Sequence, residues 1–179
     1  MSASTARRPG AKAASPSGGV DPLSANGRHD YRIELRWTGA AGGFRSYEDF
    51  DRTHRIAAPG KPSLTTSSDP AFLGVPELWN PEDMLVAALS SCHMLSYLAC
   101  CARARIEVLD YSDEARGTMV EDGKGGGRFT EVVLEPRVVI ADAVRLDHAR
   151  RLHGTAHRVC FIANSVNFDV IHNPEVVAR

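Results

Sequence analysis

Four cysteines, Cys92, Cys100, Cys101 and Cys160, are all that this 179-residue chain carries, and no two of them form a Cys-x-x-Cys pair. That is too few and too irregular for the disulfide framework of a small secreted domain, and it leaves no zinc ribbon or thioredoxin-type site. Reduced thiols in a cytoplasmic protein are the expectation. An excess of charge is lacking too: 21 Lys and Arg stand against 22 Asp and Glu, for a net charge of -1, with the basic residues scattered along the chain. Without a basic stripe, neither nucleic acid nor an anionic membrane is an expected partner, and a small, fairly neutral substrate fits better. No apolar stretch follows Arg7-Arg8, so neither a secretory nor a twin-arginine signal is complete. A phosphate-cradling loop is missing as well, because Gly123 to Gly127 lead from one strand-like segment into another and not into a helix.

One long uncharged run is present, Met84 to Cys101, of roughly the length that spans a bilayer. Ser90, Ser91, His93, Ser96 and Tyr97 interrupt it, and ordinary water-soluble sequence flanks it on both sides. It reads as a helix buried in the middle of a soluble protein.

The length suits one domain. Residues 1–28 are Ala, Ser, Gly, Pro and Arg with almost nothing apolar, and are expected to form a disordered tail ahead of a single domain over 29–179. Tyr31 to Trp37 alternates polar and apolar residues, the period of a strand with one buried face; Gly39 to Gly43 reads as a turn and Phe44 to Ile56 as a second strand. A Pro- and Ser-rich connection, Pro59 to Pro76, precedes Asn80-Pro81-Glu82-Asp83, which supplies an N-cap, a proline for the first helical position and two acids for the first turn. The helix should run to about Ala104. Ile106 to Tyr111, Glu114 to Glu121 and Arg128 to Ala141 follow as strands, the last bent at Pro136. A second, amphipathic helix is predicted from about Val144 to Val159, with Leu146, Ala149, Leu152, Ala156 and Val159 on one face, and a closing strand at Val166 to Ile171. The order implies an α+β fold with the helices on antiparallel sheets.

Cys92 lies about three turns into the long helix, beyond strong reach of the dipole at its start. Buried there it would be an inert core thiol; as a nucleophile it would need a cation, and Arg45, Arg52, His54 and Arg55 of the predicted second strand are the candidates. Cys160, at the end of the second helix, is equally unremarkable alone. Cys100 is about 12 Å along the same helix from Cys92 and Cys101 is farther, so both read as core. Glu82 is explained as a first-turn carboxylate facing the helix dipole. If it also orients an arginine, its separation of about 15 Å of helix from Cys92 would stretch any arginine joining the two within one chain, so a second subunit could complete such a site. His153, His157 and Cys160 share one helix face at a spacing that metal ligation can use, but no glutamate stands between the histidines and exposed helical histidines are common, so no metal is expected.

Taken together, Trp79-Asn80-Pro81-Glu82-Asp83-Met84-Leu85, then Ser91-Cys92-His93, then Cys160-Phe161-Ile162-Ala163-Asn164-Ser165 resemble the OsmC/Ohr family of organic-hydroperoxide reductases, from about residue 30 onward. The resemblance implies an OsmC-like fold around a long central helix, in an intertwined homodimer with sites at the subunit interface. It implies that Cys92 attacks the hydroperoxide, that Cys160 resolves the product as a disulfide, and that an arginine paired with Glu82 keeps the thiolate charged. Arg52 is favoured for that arginine over Arg45. A dithiol, such as a lipoylated protein, would be the reductant, with no bound cofactor. Two residues depart from the family pattern: Phe161 stands where a proline is common, and His93 where a bulky apolar residue is frequent. They mark a divergent branch and leave a second reading open, a non-catalytic protein of the same fold that binds a small apolar ligand or senses oxidants.

Overall fold

The structure, a computed structural model, describes residues 27–39 and 43–179. The tail expected over 1–28 lies outside those residues except for Gly27 and Arg28, as does the interior of the turn expected between Gly39 and Gly43.

Three short strands come first, β1 (Glu34–Trp37), β2 (His54–Ala57) and β3 (Leu64–Thr66), joined antiparallel in that order. The alternation read over 31–37 has no buried counterpart within this chain, for all four residues of β1 are exposed. Nor does a strand cover 44–56: β2 begins only at His54, and the residues before it form bends and a turn. The aromatic side chains explain the difference. Phe44 packs edge-on to Trp37 with ring centroids 5.9 Å apart, and Phe50 contacts both Phe44 and Tyr47, a clustering that an extended chain could not bring about. The connection over 59–76 is more ordered than its composition suggests, holding β3 and a short 3-10 turn, Pro70–Phe72, capped by Asp69.

Helix α1 (Pro81–Arg103) starts as its sequence directs. Asn80 Oδ1 accepts the Asp83 amide at 2.7 Å, Pro81 occupies the first turn, where a missing N–H does no harm, and Glu82 and Asp83 face the positive end of the dipole. Four strands follow: β4 (Val108–Asp113), β5 (Arg116–Glu121), β6 (Gly127–Leu134) and β7 (Pro136–Ile140). The single bent strand expected over 128–141 is in fact two. Pro136 has no N–H for a ladder, and Asp113 takes the Glu135 amide at 2.7 Å at the corner, so β6 stays with β5 while β7 leaves to pair with β4.

Helix α2 (Leu146–Val159) is entered through a 3-10 turn, Ala143–Arg145, and the chain ends in β8 (Asp169–His172) and β9 (Glu175–Ala178), the latter not anticipated. The sheets are not wholly antiparallel, because β8 joins β6 and β9 joins β7 in parallel register. The result is α+β with three-stranded sheets ordered β4-β7-β9 and β5-β6-β8 beside the β1-β2-β3 sheet.

Helix α1 is apolar enough to pass for a membrane span by length and composition, yet it is the element around which the core forms. Its first half places Leu89 against Val132 and Leu134 of β6; its second half places Tyr97 and Cys101 against Ala149 and Ala156 of α2, Val138 and Ile140 of β7 and Val176 of β9. Burial of these side chains is the main stabilising contribution, at about 25 cal/mol per Å² of apolar surface. The two clusters meet along α1 at Cys92 and His93. On α2 the predicted apolar face is half right: Ala149 and Ala156 are fully buried, but Val159 is 50% exposed and His153 occupies the interior.

Candidate active site

Cys92 sits half-buried in the middle of α1, and Cys160 is the residue that closes α2, 1% exposed. The structure brings the two near each other, close enough for the Cys92 side chain to act on the Cys160 thiol. Burial first, and the adjoining Cys92 thiol second, push the Cys160 thiol up to about 11, while the backbone amides of Ala163 and Ile162, aimed at its sulfur, draw it part of the way back. One thiol is therefore reachable and the other is kept protonated behind it, in contact. Cys100 and Cys101 are buried farther along α1; Cys101 adjoins Tyr97, and burial raises both groups.

The other two candidate residues are not assembled with the cysteines inside one chain. Arg52 is 9% exposed, and its guanidinium donates to the carbonyls of Phe72 (3.1 Å), Phe50 and Tyr47 while stacking over the Phe50 and Tyr47 rings at 3.8 and 4.7 Å. It forms the floor of an apolar pocket of about 470 Å³ walled by Trp37, Phe44 and Phe72. Glu82 lies elsewhere, on a groove of about 720 Å³ along α1 with Trp79, Ser90, Met94, Met119 and Phe129. Its Oε2 is buried without a hydrogen-bond partner, and no ion pair among the described residues joins it to Arg52. Arg45 stands exposed in the bend before β2. His54 is tied by its ring nitrogens to the Arg52 carbonyl at 2.8 Å and to Thr66 Oγ1 at 2.7 Å.

The sequence reading missed a group of histidines. His93, the residue after Cys92, is 1% exposed and shares an N–H···N bond of 3.1 Å with His153, which is fully buried. His172 of β8 lies 5.4 Å from His93 and 5.1 Å from His157, ring centre to ring centre. His153 is thus interior and His157 partly so, where exposed helical histidines were expected. The signal was present: His153 falls four residues after Ala149 and three before Ala156, on the apolar face. Burial dominates their chemistry, lowering His93 to about 4 and His153 to about 3, with the neighbouring imidazoles adding to the effect. Among the described residues no group of three or more His, Cys, Asp or Glu is arranged to hold a metal ion. For the hydrogen-bonded pair His93 and His153 the reason is visible, since two ring nitrogens sharing one hydrogen leave no lone pairs converging on a common point.

An α+β fold built on a long central helix, with a reachable thiol on that helix and a buried one at the end of its neighbour, defines a thiol-pair protein. The chain belongs to the OsmC-like family, whose model, described as OsmC-like protein, matches residues 74–173. Among solved structures it is similar to an OsmC-like protein of unknown function from Vibrio cholerae at 32% identity and a TM-score of 0.75, covering 83% of this chain and 100% of that one. It is also similar to organic hydroperoxide resistance proteins from Elizabethkingia anophelis (19% identity, TM-score 0.60, covering 85% and 99%) and Legionella pneumophila (17%, 0.59, 83% and 98%). At those identities the last two speak for the fold alone. No curated protein matches the chain.

Proposed function

We propose that this protein is a thiol-dependent peroxidase that reduces organic hydroperoxides to alcohols. The observation that carries the reading is the contact between Cys92 and Cys160, on separate helices, one reachable and one buried. The Cys92 thiolate attacks the distal oxygen of the hydroperoxide; the O–O bond breaks, an S–O bond forms, and the alkoxide takes a proton and departs as alcohol. Cys160 then attacks the sulfenic sulfur, an S–S bond forms, and hydroxide leaves as water with the Cys160 proton. A dithiol, free or lipoyl-bound, reduces the disulfide and closes the cycle. The apolar side chains within the mixed groove beside α1, Trp79, Val86, Met94, Met119 and Phe129, suit a substrate with a hydrocarbon portion.

The reading requires a cation beside Cys92. Arg52 takes that part in a homodimer, the arginine of one copy being oriented by the unpartnered Glu82 carboxylate of the other. Supporting this, only 28% of the apolar window of α1 is buried within one chain, and Leu95 is 60% exposed. Family membership supports the peroxide chemistry.

The test is the rate of cumene hydroperoxide consumption with a dithiol reductant, against hydrogen peroxide, in wild type and Cys92→Ser. Multiple turnover that prefers the organic peroxide and vanishes in the folded variant is expected; an unchanged rate in Cys92→Ser overturns the reading. A second reading, a non-catalytic oxidant sensor or binder of a small apolar ligand, is favoured by the engagement of Arg52 with backbone carbonyls of its own chain. It predicts one equivalent of oxidation and no turnover.

A further inference from the structure

The two cysteine-bearing helices meet through the histidines, at the seam between the two apolar clusters. His93 of α1 and His153 of α2 share their N–H···N bond across sixty residues of sequence, with rings 15° apart; Tyr97 stacks on His153 at 3.8 Å; His172 and His157 close the group. Four ring nitrogens here, His93 Nδ1, His153 Nε2, His157 Nδ1 and His172 Nδ1, are buried with no hydrogen-bond partner. Such groups are held in place by the packing around them and weaken it if they acquire charge.

The surroundings offer an added proton no compensation. From α1 comes Tyr97 with Cys101 beside it, from α2 His157, from β8 His172, and from β4 Tyr111, which reaches the group through Tyr97. The strands β7 and β9 contribute Val138, Ile140 and Val176. Asp113 of β4, the acid that acts on Tyr111, is engaged by Ser90 Oγ at 2.6 Å and the Glu135 amide. Asp147 pairs with Arg150 on the outer face of α2, where Arg151 and Arg158 add only like charge. Among the described residues no carboxylate is within ion-pair distance of any of the four rings.

We propose that this imidazole cluster is an acid-sensitive latch on the thiol pair: a proton entering it puts an unpaired charge in the α1–α2 seam, the seam opens to hydrate that charge, and Cys92 and Cys160 part. A first proton can be shared along the His93–His153 bond but still lacks a counter-charge; a second sets two N–H groups against each other and breaks the bond. The depressed affinity of His93 and His153 for protons is the thermodynamic face of the same constraint. The consequence falls on Cys160, the cap of α2, because its burial depends on α2 staying seated on α1. The latch goes beyond the peroxidase reading and does not require it, since the thiol contact is structural.

The experiment labels Cys160 in the reduced full chain with 2,2'-dithiodipyridine, which remains reactive toward thiols in acid, and follows the site by peptide mass spectrometry from pH 7.5 to pH 4.5 alongside far-ultraviolet circular dichroism. The expected result is a rise in Cys160 labelling of at least about tenfold with secondary structure unchanged, and a several-fold smaller rise in His153→Phe, which keeps a ring on Tyr97 but removes one protonatable imidazole from the seam. His93→Gln serves as the second variant should His153→Phe fail to fold. Labelling that does not rise in acid, an equal rise in the folded variants, or a rise that coincides with loss of secondary structure would each overturn the proposal.

Discussion

Oxidation of the cysteine pair has a consequence for stability that can be worked out in advance. A Cys92–Cys160 disulfide closes a loop of about 68 residues, for which the loss of chain entropy in the unfolded state corresponds to about 4 kcal/mol at room temperature. Strain in the folded state would subtract from that figure. Here the two thiols already adjoin in the reduced protein, so bridging them asks for little movement of α1 or of the cap of α2. In a domain of this size roughly 2–4 °C accompanies each kcal/mol, which gives a rise in Tm on the order of 10 °C. The assay compares urea and thermal unfolding of fully reduced protein with protein treated with one equivalent of cumene hydroperoxide, using Cys160→Ser, treated alike, as the control that cannot close the loop. The midpoint of wild type should rise on oxidation and that of the variant should not. Peptide mapping that places the bridge at Cys100 or Cys101, or an oxidised wild type no more stable than the reduced protein, would refute the argument.

The histidines also set a pH dependence. His93 and His153 bind protons less readily folded than unfolded, so their contribution is complete above about pH 6.5 and is lost as the pH falls through about 4; at 1.36 kcal/mol per unit, His93 alone accounts for about 3 kcal/mol, measurable as a falling urea midpoint over that window. Leu89→Ala, at a fully buried position between α1 and β6, should cost about 2–5 kcal/mol in the same unfolding assay at neutral pH, against well under 1 kcal/mol for truncating the exposed Leu95 in a monomeric protein. If α1 faces a second copy, Leu95→Ala should instead shift the sedimentation equilibrium toward monomer. Asn80→Ala removes the bond to the Asp83 amide and should lower stability by about 1 kcal/mol, with Asn80→Asp retaining most of it.

Where local chemistry decides a conformation, the residues announced it. The start of α1 could be read from Asn80-Pro81-Glu82-Asp83 because cap, proline and acids each act on the backbone within one turn. The period of α2 placed Ala149 and Ala156 inward, the loop over 122–127 was marked by its glycines, and the conjunction of the first-turn motif with Cys92 and Cys160 pointed to the OsmC-like family, which the match over residues 74–173 shows. What the residues did not reveal depends on contacts between segments far apart in sequence. The aromatic cluster around Arg52 stands where a strand over 44–56 was expected, because ring–ring and guanidinium–ring contacts among Phe44, Tyr47, Phe50 and Arg52 require a chain folded back on itself. The break at Pro136 sent β7 to a different sheet only because β4 and β9 were there to receive it. The contact of Cys92 with Cys160 and the burial of His93 against His153 span 68 and 60 residues of chain. Both were settled when α2 docked on α1, since side-chain proximity across such separations is a property of packing and not of any local preference.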